Sequence, residues 1–169
     1  SIIAEAYRRG VPVFSPALQD SGYGIAAILA LYKGHHIVID MVKDFKQLVE
    51  TSMVTEKLSA IYIGGGVPKD YINLMTVANT LLNESKYSDY HKGFEYAIQL
   101  TTDSPQWGGL SGATLEEAVS WGKINPSARK RTVYVDATIG LPLLIHGLID
   151  EGVSRFKHPD FTHLFPRER

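Results

Sequence analysis

The most constraining feature of this 169-residue chain is a repeated alternation of short, wholly apolar segments with longer helical ones. Val11-Pro12-Val13-Phe14, His36-Ile37-Val38-Ile39-Asp40 and Ser59-Ala60-Ile61-Tyr62-Ile63 carry apolar residues at successive positions. A strand that is apolar on both faces is buried on both faces, the signature of a parallel sheet covered by helices. Two more strands are predicted at 94–100 and 132–136. Helices are predicted up to Gly10 and over 23–32, 42–55, 68–83, 114–122 and 141–149. Val42, Phe45, Leu48 and Val49 share one helical face, Pro68 suits a first helical turn, and Thr114 with Glu117 three residues on forms a capping box. The expected fold class is α/β, a doubly wound, mostly parallel sheet with helices on both faces. One domain is expected over 1–156. Loops are expected at 84–91 and 101–113, and a tail at 157–169 whose Phe161 and Phe165 pack on a neighbour.

Composition narrows the function. The chain is 44% hydrophobic and 21% charged, the balance of a soluble globular domain and not of a disordered one. A net charge of −1 with no long basic run excludes a nucleic-acid surface as the expected role. Arg129-Lys130-Arg131 reads as a solvated loop before a strand. The chain has no cysteine, so disulfides, thiolate metal sites and a cysteine nucleophile are excluded. Its six histidines show no zinc-type spacing, and no metal is expected. No apolar run reaches the roughly 18 residues of a membrane span. A cytoplasmic location is the expectation, with neither nucleic acid nor membrane as partner.

In doubly wound sheets ligands sit beyond the carboxyl ends of the strands. The candidate positions are therefore 15–24, Asp40, 64–70, 101–113 and 136–138. Gly22-Tyr23-Gly24-Ile25-Ala26-Ala27, with Asp40 following, fits a loose dinucleotide fingerprint, a weak signal that a tight entry turn into an Ala-rich helix explains better. Gly64-Gly65-Gly66 at a strand end lets backbone approach a ligand, with free N–H groups on the next helix. Asp20 and Asp136 suit ribose hydroxyls or a cationic substrate, and Asp136 suits equally the N-cap of the next helix. The long polar loop holding Asp103, Trp107, Gly108 and Gly109 has the character of a binding surface. Lys123 follows Trp121 at the end of a short helix. A lysine in apolar surroundings loses its proton more readily and forms Schiff bases. It also suits a plain interaction with the helix C-terminus.

At this point the residues resemble a known family. Glu117-Ala118-Val119-Ser120-Trp121-Gly122-Lys123-Ile124 is similar to the active-site motif of deoxyhypusine synthases. Pro12-Val13-Phe14-Ser15-Pro16-Ala17-Leu18 with Asp20, then Gly64-Gly65-Gly66-Val67, then Val133-Tyr134-Val135-Asp136-Ala137, match in order and spacing. The resemblance covers nearly the whole chain and only the second half of the family's length. It implies a Rossmann-like NAD-binding fold and NAD-dependent transfer of the aminobutyl group of spermidine. The group passes to the active-site lysine as an imine and then to a lysine of the translation factor that carries hypusine. On this resemblance Lys123 is the nucleophile. Asp20, Gly65, Thr102, Asp103, Asp136 and Ala137 fall where the family contacts NAD. Asp70, Gly108, Gly109, Glu117 and Trp121 fall where it contacts substrate.

The departures are specific. Ile25 and Leu110 stand where better-known members have acids, Trp107 also replaces an acid, and Asp70 stands where they have a substrate-binding histidine. These changes keep open a homospermidine-synthase-like transfer to putrescine. A non-catalytic regulatory paralogue is the third reading, against which the retained Lys123 and Trp121 count. The missing first half implies completion by an N-terminal half or second subunit, in a hetero- or homo-tetramer. Ser1 suits a new N-terminus made by self-cleavage through an ester, a separately encoded subunit, or a trimmed chain.

Overall fold

The structure, a computed structural model, describes residues 1–84, 92–153 and 160–165. Among the described residues three strands, β1 (Ser59–Ile63), β2 (Phe94–Thr101) and β3 (Ile124–Tyr134), form a parallel sheet in the order β1-β2-β3. The helices α1 (Ile2–Arg9), α2 (Gly22–Tyr32), α3 (Met41–Met53), α4 (Val67–Glu84), α5 (Leu115–Ser120) and α6 (Ala137–Asp150) alternate with or precede them. Each parallel connection runs through a helix, α4 from β1 to β2 and α5 from β2 to β3, because parallel neighbours need a crossover and not a tight turn.

The core lies on one face of the sheet. Ala60 and Tyr62 of β1 pair in register with Ala97 and Gln99 of β2, and all four are buried. Ala60, Tyr62 and Ala97 join Leu48 and Val49 of α3, Met75 of α4, and Leu115 and Ala118 of α5 in a single cluster. The alternate residues, Ile61 and Ile63, point to the other face and are 57% and 52% exposed. On that second face α6 packs at the end of β2. Gly140 comes so near that an added Cβ would stand 3.5 Å from Leu100 Cδ1. The fold is α/β with a parallel sheet and one complete helical layer.

Two expectations change. Segments 11–14 and 36–40 are irregular and not strands. Their apolar character reports a preference for burial, but a strand also needs a neighbour for its backbone groups. Among the described residues no strand lies beside either. Val13 is 54% exposed and Val38 77%. The second change is at Arg129-Lys130-Arg131, which lies inside β3 and not in a loop before it. β3 is an edge strand, and exposed charge there blunts edge-to-edge pairing.

The remaining helices fall close to prediction, with α6 starting at Ala137 because Asp136 caps it. Of the loop expected at 84–91, residues 85–91 lie outside the described residues, and so do 157–159 and 166–169 of the tail. Phe165 packs on Phe14 of the same chain, with ring centroids 6.1 Å apart. No described helix is long and apolar enough to cross a membrane.

Candidate active site

α5 is only six residues long, and both of its ends are fixed by side chain or glycine. The Thr114 hydroxyl accepts from the Glu117 N–H at 3.0 Å, which is half of the predicted capping box. At the other end Gly122 has a φ of 72°, a left-handed conformation that suits glycine. Its N–H donates to Val119 O at 2.9 Å, and the Lys123 N–H donates to Ala118 O at 2.9 Å. This is the Schellman pattern of helix termination. The Lys123 carbonyl then accepts from the Phe94 N–H of β2 at 3.2 Å and from the Thr76 hydroxyl of α4 at 3.1 Å. The backbone of Lys123 is thus tied to α5, the sheet and α4 together.

Its side chain therefore leaves from a fixed point. The ammonium donates to Asp70 Oδ1 at 2.6 Å, and both side chains are mostly shielded, at 14% and 28% exposure. It also lies 5.4 Å from the centre of the Trp121 ring, within cation–π range. Asp70, Glu117, Trp121, Lys123 and Leu110 line one cleft. The helix-terminus reading of Lys123 applies to its backbone, while its amine faces the cleft.

The other predicted positions divide. Gly65 lies at the carboxyl end of β1, Thr102 and Asp103 at that of β2, and Asp136 and Ala137 at that of β3. One edge of the sheet gathers all five. Gly64 and Gly66 have φ near +77°, at 78° and 76°, and an added Cβ at either would meet nothing within 4 Å. The turn before α4 is thus open on that edge. Asp136 accepts at Oδ1 from the Thr138 N–H (2.8 Å) and hydroxyl (2.6 Å), so it is an N-cap. Those hydrogen bonds, the Thr138 hydroxyl first, hold its carboxyl below the usual range. Asp20 is exposed on a single 3-10 turn before α2, and Ile25 is 64% exposed on α2; neither lines the cleft of Lys123. Gly108 and Gly109 flank the cleft through Leu110 without lining it, and Trp107 is 67% exposed. Among the described residues no group of His, Cys, Asp and Glu is placed to hold a metal ion.

Lys69, which lines the same cleft, carried no signal in the sequence. It is only 5% exposed. A lysine after Pro68 in a first helical turn reads as a surface residue, because the acceptors that enclose it lie 30 to 44 residues further along the chain.

The family profile described as deoxyhypusine synthase matches residues 1–148. The chain belongs to the deoxyhypusine synthase family. It is 51% identical, over 164 residues and 97% of its length, to a protein of Archaeoglobus fulgidus named probable deoxyhypusine synthase 2, covering 52% of that relative. It is 47% identical to a probable deoxyhypusine synthase 2 of Methanosarcina acetivorans, over 88% of this chain and 41% of the relative. A deoxyhypusine synthase-like protein of Coxiella burnetii is 36% identical, over 99% of this chain and 47% of the relative. The chain spans about half the length of the curated relatives it matches.

Proposed function

We propose that this chain carries the nucleophile of a transferase, an NAD-dependent aminobutyl transfer from spermidine through Lys123 to a lysine of the hypusine-carrying translation factor. The observation that carries the proposal is one cleft holding the Lys123 amine, the Asp70 and Glu117 carboxylates and the Trp121 ring. Two carboxylates and an aromatic face are the groups that hold a polyamine cation.

In this reading spermidine is oxidised at the carbon beside its secondary amine, giving an imine. The Lys123 amine adds to that carbon, and 1,3-diaminopropane leaves with the proton it needs. Asp70 keeps Lys123 aimed at the cleft and accepts the cationic end of the substrate as Lys123 gives up its proton. The acceptor lysine then attacks the imine carbon and displaces Lys123, which leaves an imine on the acceptor that must take up a hydride to give the amine product. When bound, NAD would accept the hydride in the oxidation, and its reduced form would return it to the acceptor imine. The strand-end edge fits NAD. The Gly64-Gly65-Gly66 turn has open space at Gly64 and Gly66 that would suit a phosphate, while Gly65 packs on Ser111, and Thr102, Asp103, Asp136 and Ala137 lie along the same edge. The rest of the cofactor site comes, in this proposal, from the half of the relatives' length that this chain does not span, and Asp20 of this chain meets the cofactor there. A second subunit or N-terminal half would supply it, in a tetramer.

The test is to incubate the intact protein with NAD and spermidine, trap with borohydride and map the modified residue by mass spectrometry. A butylamine adduct on Lys123, absent in Lys123→Ala, is the expected result. NAD bound normally with no adduct would overturn the reading. Leu110 on the wall of the cleft, where the resemblance implies an acid, favours a second reading in which putrescine is the acceptor. Labelled spermidine separates the two, since one labels protein and the other a small polyamine.

A further inference from the structure

Lys69 and Asp70 are neighbours in the first turn of α4, and they face different tasks. Asp70 takes the Lys123 ammonium. Lys69 is buried and donates to three acceptors, Gln99 Oε1 at 3.1 Å, Leu110 O at 3.2 Å and Ala113 O at 2.6 Å. An ammonium has three donors, and here all three are used by neutral oxygens. Burial lowers the pKa of this amine, against the favourable fields of Glu117 and Asp70. A charge is placed in such a setting only where its hydrogen bonds are kept.

Those hydrogen bonds act on the segment 104–113, which is also held at Ser111, by the Thr101 hydroxyl at 3.4 Å and by the close approach of Gly65. Its large apolar residues, Trp107 and Leu110, are 67% and 45% exposed and bring it no apolar anchor. The segment is instead pinned by its carbonyls. Gln99 Nε2 donates to Ser111 O at 2.9 Å and to Gly64 O at 3.0 Å, joining the loop to the glycine turn. Lys69 takes the carbonyls on either side, those of Leu110 and Ala113. Leu110 is the residue whose side chain walls the cleft of Lys123.

We propose that Lys69 is a positioning residue, whose buried ammonium clamps the 110–113 backbone so that Leu110 sets which amines reach Lys123. One turn of α4 then aligns both the nucleophile, through Asp70, and the opposite wall, through Lys69. The clamp stands on the geometry alone, and the selectivity rests on the reading of Lys123 as the nucleophile.

The test uses Lys69→Met in the intact protein, which keeps length and apolar stem and removes every donor. Hydrogen exchange is followed by peptide. Exchange over 104–113 is expected to rise about tenfold or more, with β2 amides still protected. The ratio of kcat/KM for spermidine over spermine is expected to fall about fivefold or more, chiefly through KM for spermidine. Unchanged exchange in the loop overturns the clamp. An equal rise in loop and β2 overturns it too, since that is general destabilisation. Leu110→Ala leaves the ammonium in place and should relax the same selectivity with loop exchange unchanged; unaltered selectivity in this variant overturns the wall. If wild-type protein forms no Lys123 adduct, the proposed activity fails while the exchange result still decides the clamp.

Discussion

The Lys123 ammonium meets Asp70 Oδ1 at 2.6 Å across 53 residues of sequence, from the end of α5 to the first turn of α4. The pair is mostly shielded from water, so its attraction is weakened less by solvent than that of a surface pair. Asp70→Asn keeps the shape and removes the charge. Borohydride-trapped adduct on Lys123 should then fall several-fold, because the amine loses the charged partner that aims it. KM for spermidine should rise about tenfold, equivalent to about 1.4 kcal/mol. Peptide mapping of the trapped lysine and steady-state kinetics check the two halves. Unchanged adduct yield at saturating spermidine would mean that the pair does not aim the amine.

Gly122 is the residue that lets Lys123 turn out of α5. With φ at 72°, a side chain there strains the backbone whatever space surrounds it. Gly122→Ala should cost about 1–2 kcal/mol of stability. It should also reduce borohydride-trapped adduct on Lys123 beyond what the stability loss explains, because the Schellman hydrogen bonds set where the amine begins. Thermal unfolding and adduct yield measured at a temperature where both proteins are folded separate the two effects.

Tyr62 gives a pH-dependent prediction. Its hydroxyl is buried and donates to Asn73 Oδ1 at 2.6 Å, and burial pushes its pKa well above that of a free phenol. Above about pH 10 the unfolded phenol ionises while the native one keeps its proton. The native state then binds more protons, so stability falls as pH rises. Buried Lys69 and half-buried Lys92, with lowered pKa values, act in the opposite sense below the usual amine range. Tyr62→Phe leaves both lysines in place, so they cancel in the difference between the proteins. The variant should lose about 1 kcal/mol at neutral pH, for the hydrogen bond. Its decline above pH 10 should be shallower by up to about 1.4 kcal/mol per pH unit. Denaturant unfolding across pH tests this, and parallel curves for the two proteins would count against it.

What could be read in the sequence was what local pattern encodes. Thr114 with Glu117, Pro68, and the face of Val42, Phe45, Leu48 and Val49 each mark a helix by nearby chemistry, and each helix is present. The strand ends were legible because three glycines and Asp136 break apolar runs. The segments 11–14 and 36–40 were misread because pairing depends on a neighbour that no local pattern names. In the cleft, the motif around Lys123 was legible from its resemblance, and the pairing of Lys123 with Asp70 was not. Lys69 was missed for the same reason: its three acceptors lie 30 to 44 residues further along the chain.

Gly65 separates two reasons for glycine in one turn. Gly64 and Gly66 need positive φ, at 78° and 76°, with open space where a Cβ would stand. Gly65 needs room, since an added Cβ would lie 2.4 Å from Ser111 Cα. That contact is the seam between the glycine turn and the 104–113 segment, at the edge proposed for NAD. Gly65→Ala should cost about 1–3 kcal/mol by overpacking. It should also weaken NAD binding by about tenfold, as the seam opens. The second change Ser111→Gly removes the Ser111 Cβ but not its Cα, the nearest atom, so it should not restore either property. Calorimetric titration with NAD and thermal unfolding of the single and double variants make the comparison. Full recovery in the double variant would mean that the side chain, and not the backbone of the loop, occupies the space that Gly65 leaves.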